Sequence, residues 1–81
     1  MDLTVTQIGK VNDLYNGYDE FLLIENKEDT LTPEQAEAWL LPQVYRDSYQ
    51  AGGYFCHYVS GSQYPYSDNK VIAIVHHRYD I

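Results

Sequence analysis

Cys56, His57, His76 and His77 are the residues of this 81-residue chain whose types are best suited to chemistry. Cys56-His57 suggests a thiolate beside its base, and His76-His77 suggests a metal chelate. Neighbours on a β-strand point to opposite faces, so neither adjacent pair can address one atom together. Pairing Ser60 with Lys70 across the loop between them sets His57 opposite Ala73 and His76 opposite Tyr54. In that register the third histidine does not join the other two. A tetrahedral metal site needs three or four convergent ligands, so the reading is no metal and no cofactor. The histidines are then surface or strand-end residues, and Cys56 is a buried structural thiol.

Carboxylates are numerous. Asp19-Glu20 and Glu28-Asp29 are consecutive rather than set across a cleft, which argues against paired acid–base catalysis. Gly52-Gly53 lacks the Lys-Ser/Thr of a phosphate loop. The acids are instead concentrated. Asp13, Asp19, Glu20, Glu25, Glu28, Asp29, Glu34 and Glu37 face one base, Lys27, within a single segment, and that segment's charge of −7 equals the net charge of the chain. Elsewhere Asp2, Asp47, Asp68 and Asp80 are balanced by Lys10, Arg46, Lys70 and Arg78. A field this lopsided selects cationic partners and repels nucleic acid and anionic membrane. With five Lys and Arg against twelve acids, direct nucleic-acid binding has no electrostatic footprint. Solubility alone is the plain account of such acids. The sharper one is a carboxylate surface shaped for a basic groove, with aromatic residues setting the lifetime of the complex.

The elements that would position these groups can be read in order. Residues 3–11 are rich in β-branched side chains and form a strand, with Gly9 a possible bulge. Asn16-Gly17 signals a two-residue hairpin into a strand at 18–25. That turn sets Asp13 opposite Glu20, an unfavourable like-charge pair. Leu31-Thr32-Pro33-Glu34-Gln35 is a helix start: Thr32 caps, Pro33 takes the first position and Gln35 completes a capping box. Glu34 and Glu37 suit the helix dipole. Ala36, Trp39, Leu40 and Val44 share one side, and Pro42 is expected to kink or break the helix into 33–41 and a second piece reaching about Tyr49, ended by Gly52-Gly53. Residues 54–60 form a strand and 61–69 a loop. Residues 70–79 form the most apolar strand, placed centrally. In the loop, Tyr64-Pro65-Tyr66 is either a contact anchor or a lid over the sheet edge.

The expected fold is therefore α+β, one domain spanning 1–81, with a four-stranded antiparallel sheet in the order β-β-α-β-β and a kinked or broken helix on one face. With one cysteine and no disulfide possible, a start (Met-Asp-Leu-Thr) unlike a signal peptide, and no apolar run near the ~20 residues of a membrane span, a soluble cytoplasmic protein is expected.

In size, acidity, tyrosine content and form, the whole chain resembles small phage-encoded anti-defence proteins, anti-CRISPR inhibitors in particular. The resemblance is one of bulk character and carries no motif. It implies stoichiometric, non-enzymatic inhibition of a nucleic-acid enzyme in the host bacterial cytoplasm, by carboxylates that stand in for phosphates. From the charge and the aromatics, the partner-binding residues expected are Asp19, Glu20, Glu25, Glu28 and Asp29 with Tyr18, Tyr64 and Tyr66. The alternatives are a small ligand-binding or enzymatic domain using the Cys56, His57 and His76 region, and an accessory subunit or homodimer pairing through a sheet edge.

Overall fold

The helix start is built as its sequence dictates. In the computed structural model, Thr32 N–H donates to Gln35 Oε1 (3.0 Å), and Gln35 N–H donates to Thr32 Oγ1 (3.2 Å). This reciprocal capping box satisfies two amides that a helix end leaves without partners. Leu31 and Ala36 occupy the flanking positions of a hydrophobic staple, and both are fully buried in the core.

The structure describes residues 2–13, 17–50 and 55–79. Strands β1 (Leu3–Asp13) and β2 (Gly17–Asn26) precede helix α1 (Pro33–Gln50), and strands β3 (Phe55–Gln63) and β4 (Lys70–Tyr79) follow it. All strand pairs are antiparallel, in the spatial order β1-β2-β4-β3. The apolar β4 is thus central and bonded on both sides. Together these elements make an α+β fold with one helix packed against the β3–β4 half of the sheet. Among the described residues no helix is long and apolar enough to cross a membrane.

The core lies between α1 and one face of the sheet. Leu22 and Ile24 come from β2, Val71, Ala73 and Val75 from β4, Leu31 from the preceding loop, and Ala36, Leu40 and Val44 from the helix. Trp39 packs against this cluster while half-buried. Alternation then decides the other face. Phe21, Leu23, Ile72 and Ile74 lie on the side of the sheet away from the helix and outside the core cluster.

Three expectations change. First, the break expected at Pro42 does not occur: α1 runs as one element from Pro33 to Gln50. Pro42 and Ala38, whose carbonyl loses its amide partner, are both exposed. Water can therefore satisfy that carbonyl, and continuing the helix places Val44 in the core. The Gly52-Gly53 stop lies outside the described residues.

Second, the two-residue turn at Asn16-Gly17 is not the pairing found. Asp13 pairs with Gly17, and Glu20 lies opposite Lys10. The like-charge pair is replaced by an opposite-charge one. The connecting residues 14–16 lie outside the described set. Gly17 has φ 132°, which only glycine adopts readily. The bulge does occur, as a register shift between Gln7 and Gly9. Gly9 has no side chain there, and the Phe21 side chain lies 3.7 Å from where a Cβ would stand.

Third, β3 extends past Gly61 to Gln63, so Ser60 pairs with Ile74 rather than Lys70. The register moves by four residues, an even number, and every side chain keeps the face expected of it. His57 comes opposite His77, and His76 opposite Tyr58. The side chains of Cys56 and His57 lie outside the described residues. Gly61 belongs in the strand because the helix sits on it. A Cβ at Gly61 would stand 3.2 Å from the Pro33 carbonyl oxygen and 3.3 Å from Glu37 Oε1. Glu37 Oε1 also accepts the Gly61 N–H at 2.6 Å, so a helix side chain satisfies one amide of the edge strand β3. Gly61→Ala is therefore expected to cost about 1–2 kcal/mol by forcing the helix off the strand. A urea midpoint equal to that of the parent, with unchanged slope, would contradict this seating.

Candidate interaction surface at the loop end of the sheet

Two loops meet at one end of the sheet and are tied to each other. Asn26 N–H donates to the Asn69 carbonyl (2.9 Å), and Leu31 N–H donates to the Asp68 carbonyl (2.8 Å). Asn69 Nδ2 donates back to the Asn26 carbonyl at 3.0 Å. Asn26, the one buried polar residue among those described, has its Oδ1 accept the Glu28 N–H at 3.1 Å. Asp29 Oδ1 accepts the Thr30 N–H at 2.7 Å. Side-chain-to-backbone bonds of this kind hold loops without regular structure.

This hydrogen-bonded end carries acids from three parts of the chain. Asp2, Glu28 and Asp29 line a cleft of about 430 Å³ together with Asn26, Thr30 and Gln35. Asp68 is exposed on the adjoining loop. Glu25 lies one step into the sheet, 3.9 Å from Lys70 Nζ. Lys27, also exposed, is the other cation on these loops. Asp2 and Asp68 fall in the charge-balanced remainder of the sequence. Only the pairing of Leu3 with Asn26, and of Asp68 with Leu31, brings them here. No local signal marks them.

The β3–β4 loop adds two aromatics. Tyr64 N–H donates to the Lys70 carbonyl, and Ser67 N–H donates to the Tyr64 carbonyl. Gln63 Nε2 donates to the carbonyls of Ser67 and Lys70. Inside this closed loop Tyr66 has φ 62° and is fully exposed. A non-glycine residue in the left-handed region is strained, and here the ring gains no intramolecular contact in return. Tyr64 is also exposed, with Lys70 Nζ 5.8 Å from its ring centroid. Both rings of Tyr64-Pro65-Tyr66 are therefore on the surface. Tyr66→Gly is expected to raise stability by about 0.5–1 kcal/mol, since glycine adopts this φ without strain. A thermal melt checks it, and a lower melting temperature would show that the ring is held by the fold.

The remaining expected partner residues lie at the other end of the sheet and are divided between its faces. His76 Nδ1 and Asp19 Oδ1 are 3.0 Å apart on the open face, and His77 Nε2 and Glu20 Oε1 are 2.5 Å apart on the helix side. Tyr18 stacks on His77 with ring centroids 4.3 Å apart, and Lys10 Nζ lies 4.4 Å from the Tyr18 centroid. Asp19, Glu20 and Tyr18 are therefore engaged within the protein. The eight residues are thus divided: Glu25, Glu28, Asp29, Tyr64 and Tyr66 lie in or next to the two loops at one end of the sheet, and Tyr18, Asp19 and Glu20 lie toward the other.

His76 Nε2 also lies 3.2 Å from Ser60 Oγ, which completes a Ser60–His76–Asp19 chain across three strands. The order matches nucleophile, base and orienting carboxylate. Acyl transfer also needs convergent donors for an oxyanion. Beside Ser60 the strand is extended, and the next amide, Gly61 N–H, is committed to Glu37. The two bonds run as a ladder across the open face of the sheet. Among the described residues no group of three or more His, Cys, Asp or Glu could hold a metal ion.

Comparison with protein-family models, with curated proteins and with solved structures gives no match.

Proposed function

We propose that this protein is a non-enzymatic acidic inhibitor. It docks the loop end of its sheet on a basic nucleic-acid-binding surface and occupies that surface with carboxylates in place of phosphates. The observation that carries this reading is the hydrogen-bonded loop pair that brings Asp2, Glu28, Asp29 and Asp68 to the end of the sheet where the exposed Tyr66 is held at positive φ. The acids attract a cationic groove at long range, and the aromatic ring supplies short-range contact that slows dissociation. Its bulk likeness to anti-CRISPR inhibitors makes a bacterial defence nuclease complex the target class to test first, in the host cytoplasm.

The test is capture of such complexes from bacterial lysate by the immobilised protein, at low and high salt. Glu28→Lys, Asp29→Lys and Asp68→Lys in one variant should abolish capture, whereas Asp19→Asn should leave it intact. Equal capture by the triple variant and the parent would rule the reading out.

A further inference from the structure

The sheet face away from the helix has a pattern that fits a second copy of itself. Its centre is apolar: Phe21 pairs with Ile74 and Leu23 with Ile72 across β2 and β4. All four are half-buried and none belongs to the core cluster. At one end of this strip Asp19 meets His76, and at the other Glu25 meets Lys70. The carboxylates stand on β2 and the bases on β4, with the two ends about 20 Å apart along the strands. Although the chain carries −7, each carboxylate on this strip has a nitrogen partner across the ladder. A strongly cationic partner therefore has less attraction to it than to the loop end.

We propose that the protein forms a homodimer through this face, about a two-fold axis parallel to β2 and β4 and midway between them. Two sheets packed face to face lie ~10 Å apart with their strands roughly aligned. A two-fold along the strands lays β2 of one copy over β4 of the other. Glu25 then faces the Lys70 of the second copy, Asp19 faces its His76, Phe21 meets its Ile74, and Leu23 meets its Ile72. A two-fold across the strands lays β2 over β2 instead. It sets Asp19 against Glu25, which like charges disfavour. The charge pattern thus selects one axis, and an isologous contact of this kind closes at two copies.

Four strands at ~4.8 Å spacing and ~33 Å length offer roughly 600 Å² per copy. The total of about 1,200 Å² is at the lower end of stable interfaces, so the dimer is concentration-dependent. This axis also keeps both loop ends on the same end of the dimer. The inference itself stands on the open face and does not depend on the proposed function.

Sedimentation equilibrium of the full chain, from low micromolar to near-millimolar concentration, tests it. The expected mass rises from the 9.4 kDa of one chain toward twice that value. Leu23→Glu, on the open face and outside the core, should weaken the dimer about tenfold or more while the circular dichroism spectrum stays that of the parent. Glu25→Lys should also weaken it, by facing Lys70 of the second copy, and Glu25→Lys with Lys70→Glu should restore it. A single-chain mass at every concentration overturns the proposal, as does a dimer indifferent to Leu23→Glu. Tighter association of Glu25→Lys would show that the axis runs across the strands, and would overturn the arrangement.

Discussion

Reversing Glu28, Asp29 and Asp68 to lysine in one variant is expected to weaken binding to a cationic groove by on the order of 100-fold at low salt. The estimate follows from the charges. An acid ~10 Å from a fixed cation in water gains about 0.4 kcal/mol, and reversal changes each such interaction by about 0.8 kcal/mol. Three reversals, each sensed by one or two cations, sum to about 3 kcal/mol. The effect should shrink as salt approaches ~0.1 M and above, where the screening length falls to ~10 Å. The fold should tolerate the change. Glu28 and Asp68 are exposed, and Leu31 N–H is held by the backbone carbonyl of Asp68 rather than by its side chain. Asp29 gives up one exposed bond to Thr30 N–H. Titration of a captured target at two salt concentrations measures the effect, and a loss independent of salt would mean that the carboxylates do not act through their charge.

Leu31→Ala is the substitution expected to cost most stability. Leu31 is fully buried although it lies outside every helix and strand. It occupies the space between the helix start and the sheet. Removing its side chain leaves a cavity where the capped helix end and the Asp68 carbonyl constrain collapse, so a loss of about 3–4 kcal/mol follows. A domain of this size has roughly 4–12 kcal/mol in total, and the melting temperature should fall by about 12–25 °C. Leu23→Ala, on the open face, should cost about 1 kcal/mol when compared at low micromolar concentration. Equal losses at the two positions would place the core on the wrong side of the sheet.

Much of the fold is legible in the residues because local physics sets it. Thr32 and Gln35 cap each other as their spacing requires. Ala36, Leu40 and Val44 turn to one side at helical period, and Val71, Ala73 and Val75 alternate into the core. What local physics sets less well is pairing. A strand's faces follow from its own alternation, but its register depends on the partner. The four-residue shift at β3 was invisible because Gly61 reads as a loop residue, whereas it is a seat for Pro33 and Glu37. Pro42 reads as a kink or a break, but whether the helix can continue past it depends on whether Ala38 faces solvent, which only packing decides.

The same division runs through the candidate surface. The sequence alone determines that the acids outnumber the bases and cluster between Asp13 and Glu37, because charge is a property of composition. It does not determine which acids remain available, because that depends on what lies across the ladder. Asp19 and Glu20 are met by His76 and His77, while Asp2 and Asp68 are carried to Glu28 and Asp29 by two loop-to-loop backbone bonds and an edge strand. Sign and quantity of charge are local and additive. The place where charge is offered to a partner is set by long-range pairing, and that is decided only when the sheet closes.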